Sequence, residues 1–166
     1  MIERLTSTSP FIDMRCYPSE FMPFTFVPYI KKGSAPFVKF TSGSIQNPGT
    51  FSLGETLANR GANDYKGKVV VIINEQTQSQ AKYTTMAFQS SPNVTVIGST
   101  TAGADGNVSS ILLLGGISTM ISGINVLYPD GTETQRKGVK IDVPLKPKVG
   151  RDELLEKGKE IIKSSK

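Results

Sequence analysis

Ser79 and Lys82, three residues apart, are the side chains in this sequence whose types and spacing most clearly indicate chemistry. They follow the polar segment Asn74–Gln78, which itself follows a run of apolar β-branched residues. A serine between a buried strand and a helix is held on a rigid element, and the free amides of the first helical turn can stabilise a developing oxyanion. The pattern is compatible with nucleophilic attack by Ser79, but taken alone it favours a serine that only caps the helix.

A base that could activate this serine is hard to find, because the sequence contains no histidine. No Ser-His-Asp triad, Cys-His dyad or histidine-ligated metal site can be built from this chain alone. Lys82 lies one helical turn from Ser79 and is a candidate base if burial lowers its pKa. The simpler interpretation places Lys82 on the surface. The spacing also matches the Ser-x-x-Lys signature of β-lactamases, but no Lys-Thr-Gly motif accompanies it.

Three other features have structural explanations that we favour. The loop Thr101–Asn107 lacks the Gly-Lys-Ser/Thr of a phosphate cradle and the alternating carboxylates of a calcium loop. Asp105 and Asp130 each precede a glycine, which predicts turns rather than an acid–base pair. The single cysteine, Cys16, excludes a disulfide framework and multi-cysteine zinc patterns, and we expect a buried or half-buried thiol. We predict neither a metal nor a cofactor.

The elements that must position Ser79 form a strand–helix–strand unit. Lys68–Ile73 is typical of a strand buried on both faces, Ser79–Gln89 of a helix and Val94–Gly98 of a second strand. This unit predicts an α/β fold with a crossover connection. The remaining predictions are strands at Pro10–Arg15, Val108–Leu114, Ser118–Ile121 and Ile124–Tyr128, extended or irregular chain at Phe21–Phe40, a turn at Ser42–Gly49, a short helix at Phe51–Asn59 and an amphipathic helix at Gly150–Lys163.

Length and charge restrict the function classes. At 166 residues we expect a single unit over residues 1–166. The whole excess of +5 lies in residues 136–166, which contain no aromatic side chain, so we do not expect nucleic-acid binding. No apolar run approaches the roughly 20 residues of a membrane span, and Met1–Thr6 shows no signal peptide.

Several stretches, taken in order, resemble a family of serine peptidases, the C-terminal processing (tail-specific) proteases and tricorn. Most of the chain takes part in this resemblance, which depends on the order of the motifs rather than on any one of them. The stretches are Asp13-Met14-Arg15 with Tyr17-Pro18, the nucleophile segment Val71–Lys82, the loop Gly98–Gly103, the turn Pro129–Gly131 and the closing segment Lys137–Val143.

The resemblance implies a crotonase/ClpP-like core, incomplete in this chain, and a serine-type endopeptidase that forms an acyl-enzyme on Ser79. It implies an oxyanion hole from the backbone amides of Gln80 and of Ser19 and Glu20, with Thr101 and Gly103 lining the substrate site. The expected partner is a peptide or protein substrate. The parent would be bacterial and periplasmic, secreted or in the cell envelope.

Two departures from the family pattern concern the machinery around the serine. Tail-specific members carry a lysine after the glycine of the Gly-x-x-Thr-x-Gly loop, where this chain has Ala104. Tricorn-like members use a histidine from an earlier part of the domain. We therefore expect this chain to be the C-terminal part of a tricorn-like catalytic domain, inactive alone, whose base comes from a missing upstream segment. The alternative is a non-catalytic peptide-binding module on the same scaffold.

Overall fold

The computed structural model of the chain describes residues 10–44, 46–47, 49–63, 65–146 and 150–164. The expectation for Met1–Thr6 and part of the turn predicted at Ser42–Gly49 lie outside these residues. The elements, in chain order, are β1 (Phe11–Asp13), α1 (Met22–Thr25), a 3-10 turn (Val27–Tyr29), β2 (Lys32–Gly43), β3 (Phe51–Ala62), β4 (Val69–Ile73), α2 (Gln80–Gln89), β5 (Val94–Gly98), β6 (Val108–Leu112), β7 (Ser118–Ser122), β8 (Val126–Leu127), β9 (Val143–Pro144) and α3 (Glu153–Lys163).

A parallel sheet of order β1-β4-β5-β9 forms the centre of the fold. Its middle strand β4 is buried along its whole length, as its unbroken β-branched sequence predicts for a strand covered on both faces. The predicted strand–helix–strand unit is therefore confirmed. β5 has the predicted bounds, and α2 begins one residue later than predicted.

Helices cover the two faces of β4. Val69, Val71 and Ile73 point to the side of α2 and join its buried side chains in the larger core cluster. The alternate residues Val70 and Ile72 point to the other side, where they pack with Leu154 of α3 in a second cluster. This alternation follows from the two-residue period of a strand. The prediction of an α/β fold is confirmed.

A second sheet, antiparallel and of order β3-β2-β8, lies next to α2 and corrects the prediction for residues 51–59. The predicted helix at Phe51–Asn59 is wrong, because this segment forms β3 and pairs with β2 along its length, from Gly43↔Phe51 to Lys32↔Ala62. Long-range pairing overrides local helix propensity here. The region Phe21–Phe40 also contains more regular structure than expected, since it includes α1 and most of β2.

β6 and β7 form a separate two-stranded hairpin whose residues are all exposed. Both strands of this hairpin were predicted. The strand predicted at Ile124–Tyr128 is shorter in the structure, where it forms β8. The closing segment Lys137–Val143 contributes only the first residue of β9. The final amphipathic helix begins at Glu153, three residues after its predicted start. Among the described residues, no helix is long and apolar enough to cross a membrane.

Candidate active site

Ser79 lies in a sharp turn between β4 and α2, at the position before the first helical residue. Its backbone has φ 50° and ψ −122°, a conformation that residues other than glycine rarely adopt. Ser79 is the N-cap residue of α2, but its side chain makes no capping hydrogen bond, so the interpretation of this side chain as a helix cap is wrong. Its amide instead donates to the carbonyl oxygen of Ala104 at 2.8 Å. The turn thus leaves the Ser79 hydroxyl outside the hydrogen bonding of the helix.

Thr77 anchors this turn to the strand beside it. Its Oγ1 donates to the Met14 carbonyl at 2.8 Å and accepts from the Asn74 amide at 3.1 Å. The Thr77 carbonyl accepts from the Ala102 amide at 3.1 Å. Thr77 is fully buried, so these bonds form in a dry environment where unmade bonds would be costly. The turn that carries Ser79 is consequently tied to the residue that follows β1 and to the loop after β5.

Ser79 and Gln80 border a cavity of about 430 Å³ between α2, the loop after β1 and the start of the hairpin. The size is typical of ligand pockets, which run from about 300 to 1,000 Å³. Most of its wall is aromatic or aliphatic. Its other described lining residues are Tyr17, Phe21, Phe40, Tyr83, Asp105, Gly106, Asn107, Ile124 and Val126.

The predicted oxyanion loop lies next to the start of α2. Gln80 Nε2 donates to the Glu20 carbonyl at 2.8 Å, which joins the loop to the residue after Ser79. Tyr17 and Phe21, on either side of Ser19 and Glu20, both line the cavity. The Gln80 amide lies in the first turn of α2, where amides have no partner within the helix. The role of these amides in oxyanion binding stays a prediction.

Lys82 is fully buried, so its predicted surface position is wrong. Its Nζ lies 3.6 Å from Asp105 Oδ2, longer than a hydrogen bond, and neither atom has a hydrogen-bond partner among the described residues. Burial lowers the pKa of Lys82, and the carboxylate of Asp105 opposes this shift. Burial likewise raises the pKa of Asp105, against the opposing effect of Lys82.

Asp105 was expected to serve only a turn. One oxygen does so, since Oδ1 accepts from the Gly106 amide at 2.8 Å. The other oxygen faces Lys82, and Asp105 also lines the cavity beside Ser79. An interpretation as a turn alone is therefore incomplete, whereas Asp130 does accept from the Thr132 amide at 2.9 Å within an exposed turn.

The two residues predicted to line the substrate site pack against the segment that follows the hairpin. Thr101 is buried, and its Oγ1 accepts from the Val139 amide at 3.3 Å. Gly103 has φ +68°, and a Cβ there would lie 2.9 Å from Arg136 Cα, so only glycine fits this approach. The part of their loop that lines the cavity is Asp105–Asn107. A substrate-lining role for Thr101 and Gly103 stays a prediction.

Sequence reasoning missed the aromatic wall of the cavity and the long-range contact at Arg15. Arg15 binds Asp13 at 2.7 Å and Asp152, at the start of α3, at 2.8 Å. Arg15 and Asp152 are 137 residues apart, so no local sequence pattern indicates that they form an ion pair. The aromatic wall had a signal in the density of rings between Tyr17 and Phe40, which proline spacing led us to treat only as irregular chain.

Two further predictions concern metal-binding and thiol chemistry. Cys16 is exposed, so the expected buried thiol is wrong. Its Sγ lies 3.8 Å from the Asp13 carbonyl. Across the part of the chain that the structure describes, no group of three or more His, Cys, Asp or Glu side chains is placed to hold a metal ion.

Solved structures show the same fold in several peptidases. The chain is similar to a putative peptidase from Parabacteroides merdae (TM-score 0.77, 18% identity, 86% of this chain and 48% of that chain). It is also similar to the photosystem II D1 C-terminal processing protease (TM-score 0.62, 17% identity, 89% of this chain and 37% of that chain). A third similar structure is a lipoprotein from Streptococcus agalactiae (TM-score 0.62, 17% identity, 94% of this chain and 54% of that chain). The chain thus spans roughly half or less of the length of these proteins. No curated protein matches the sequence.

The sequence itself matches Peptidase family S41 over residues 27–145, which is most of the chain. The matched range contains the turn of Ser79, α2, the loop with Asp105 and the hairpin. The resemblance to C-terminal processing proteases and the expectation of a partial crotonase/ClpP-like core are both confirmed. Because the match covers more than half of the sequence, this chain belongs to peptidase family S41.

Proposed function

We propose that this chain is the nucleophile-bearing part of a serine-type endopeptidase that cleaves peptide bonds through an acyl-enzyme on Ser79. The observation that carries the proposal is the backbone of Ser79, held at φ 50° and ψ −122° at the start of α2. Strain of this kind persists where surrounding structure enforces it, and it is concentrated at functional sites. A serine on a sharp strand-to-helix turn presents its hydroxyl to a ligand in the cavity alongside.

The proposed reaction has two steps, acylation of Ser79 and hydrolysis of the acyl-enzyme. Ser79 Oγ bonds to the substrate carbonyl carbon and loses its proton to a base; the C–N bond then breaks, and the amine leaves with that proton. Water next attacks the ester and releases the acid, which restores the serine hydroxyl. The negative oxygen formed in each step would accept from the Gln80 amide and from the Ser19 and Glu20 amides of the loop after β1.

The base in this proposal comes from outside the chain, as the sequence led us to expect. The sequence contains no histidine, and the only lysine beside Ser79 is Lys82. Lys82 Nζ faces Asp105 rather than a hydroxyl, and it has no hydrogen-bond partner in the described part of the chain. Lys82 remains the alternative base, although its Nζ makes no hydrogen bond to the Ser79 hydroxyl.

A second candidate function is peptide binding without cleavage. The contact between Lys82 and Asp105 favours this function, because it leaves Ser79 without a visible base among the residues that the structure describes. A serine hydroxyl without a base is a weak nucleophile. The cavity would then bind an extended peptide and release it uncut.

A fluorophosphonate probe separates these functions, because it bonds covalently to an activated serine. The probe would be applied to this chain and to a polypeptide extended upstream, each beside its Ser79→Ala variant and a Ser110→Ala control in the exposed hairpin. We expect labelling of the longer polypeptide alone, lost in Ser79→Ala and kept in Ser110→Ala. Labelling of the short chain would point to Lys82 as base. Absence of labelling in both would favour the binding module.

A further inference from the structure

The cavity beside Ser79 has a wall of packed aromatic rings. Tyr83 lies at the centre of this wall, nearly parallel to Phe21 at 5.6 Å between ring centroids and to Phe40 at 6.0 Å. Aromatic side chains offer a large apolar surface with few rotatable bonds, so a wall of this kind is largely formed before a ligand arrives. The aliphatic part of the lining is Ile124 and Val126.

The charges at the cavity favour an uncharged occupant. Asp105 is the one lining residue, among those that the structure describes, that is formally charged at neutral pH. Lys82 lies 3.6 Å from its carboxylate, and both side chains are buried, so each charge offsets the other. A further charge of either sign entering the cavity would lose its water without gaining a free counter-charge. Acidic and basic side chains are both disfavoured on this ground.

We infer that this cavity selects the substrate residue whose carbonyl Ser79 attacks, and that it prefers an aromatic or bulky aliphatic side chain. The inference rests on the proposed function, because it assigns the cavity to a residue bonded at Ser79. Ser79 and Gln80 line the cavity themselves, so the side chain next to the attacked carbonyl is the one that reaches it. Its volume of about 430 Å³ accepts a large ring, and its apolar wall holds one by burial.

Peptide boronic acids test this selectivity without requiring turnover. The boron stands in place of the attacked carbonyl carbon; an Oγ–B bond forms, and the serine proton passes to solvent. The polypeptide extended upstream, which holds the proposed base, would be titrated with five ligands of one sequence. They differ only in the side chain next to boron: that of Phe, Leu, Ala, Lys or Glu. By calorimetric titration we expect the Phe and Leu ligands to bind at least about tenfold more tightly than the other three.

The Ser79→Ala variant separates failure of this inference from failure of the proposed function. Equal affinities, or tightest binding of the Lys or Glu ligand, would overturn the inference. If binding in those cases still depended on Ser79, the proposed nucleophile would stand. Undiminished affinities in Ser79→Ala, with the apolar preference kept, would support the cavity's selectivity and contradict the proposed nucleophile.

Phe21→Ala tests the ring wall directly. Phe21 is about half exposed, so its truncation leaves the core intact. We expect the ratio of affinities between the Phe and Ala ligands to fall at least about threefold, as apolar contact in the cavity is lost. Phe51→Ala, an exposed ring on β3 outside the cavity, is the matched control and should leave the ratio unchanged. A general loss of structure would lower both affinities together, and an unchanged ratio in Phe21→Ala would overturn the role of this ring.

Discussion

Ser79 combines a candidate reactive hydroxyl with a backbone conformation that suits glycine. At φ 50° the Cβ of an L-residue crowds its own backbone, which costs roughly 1–3 kcal/mol. The bond from the Ser79 amide to the Ala104 carbonyl holds the residue there. Serine is kept at this position against the conformational preference of the chain.

Replacing Ser79 by glycine should therefore stabilise the fold relative to replacing it by alanine. Both changes remove the hydroxyl, but only glycine relieves the crowding at Cβ. We expect Ser79→Gly to exceed Ser79→Ala by about 1 kcal/mol in the free energy of unfolding, after allowance for the greater freedom of glycine in the unfolded chain. Urea denaturation measures the difference. A less stable glycine variant would show that the turn carries no such strain.

The buried pair of Lys82 and Asp105 predicts an unequal response to single and double substitution. Asp105→Asn alone leaves a buried ammonium without its counter-charge and should cost about 3 kcal/mol. Adding Lys82→Met to it removes that charge while keeping the length of the side chain, and should recover most of the loss. Urea denaturation of the two single variants and the double variant gives the coupling. Additive effects would mean that the two charges do not interact.

Tyr128 should make stability fall at alkaline pH. Burial raises its pKa to about 12 from an ordinary 10.0, so the folded state holds this proton over a range where the unfolded state has lost it. Its contribution is complete below pH 10 and disappears as pH rises through 12, by up to about 3 kcal/mol. Tyr128→Phe should decline less steeply over pH 10–12 than the parent, with unfolding free energies measured at each pH. Parallel curves would contradict the shift. Tyr83, also raised to about 12, remains in both proteins.

At the scale of elements, Asp152 fixes the start of α3. Its Oδ1 accepts from the Leu155 amide at 3.1 Å, and its carboxylate also binds Arg15. Asp152→Ala should cost about 1 kcal/mol through loss of the cap, whereas Asp152→Asn keeps a capping oxygen and should cost only a few tenths. The ion pair is partly exposed and adds little. Equal losses in the two variants, measured by urea denaturation, would assign the effect to the ion pair instead.

The elements that the sequence predicted are those whose evidence is local. β4, α2 and β5 lie within 30 consecutive residues, and the β-branched run at Val69–Ile73 indicates burial on both faces by itself. The helix prediction for Phe51–Asn59 was wrong because the leucine, alanine and glutamate residues of this segment favour a helix locally. Its strand conformation comes from pairing with β2, a contact that only the folded chain supplies.

At the scale of the whole molecule, the position of α2 explains why the site was only partly predictable. This helix lies between the parallel sheet and the antiparallel sheet, and its residues Ala81–Phe88 are all buried. A lysine on a helix is ordinarily assigned to a solvent face, but here no such face exists at Lys82. The position of Ser79 between a strand and a helix was predictable, because a polar turn after a buried strand is a local pattern. Asp105, which faces Lys82, and the ring of Phe40 come from segments distant in the sequence.

The central position of β4 has a consequence for hydrogen exchange. Its amides lie between β1 and β5 and under two helices, so they reach solvent only when the sheet opens as a whole. We expect their exchange in deuterated water to report the global free energy of unfolding, while the exposed hairpin at Val108–Ser122 exchanges through local opening. The exchange rates of the Val69–Ile73 amides would then report the global stability of every variant described above. Exchange of β4 as fast as that of the hairpin would show that the sheet opens without global unfolding.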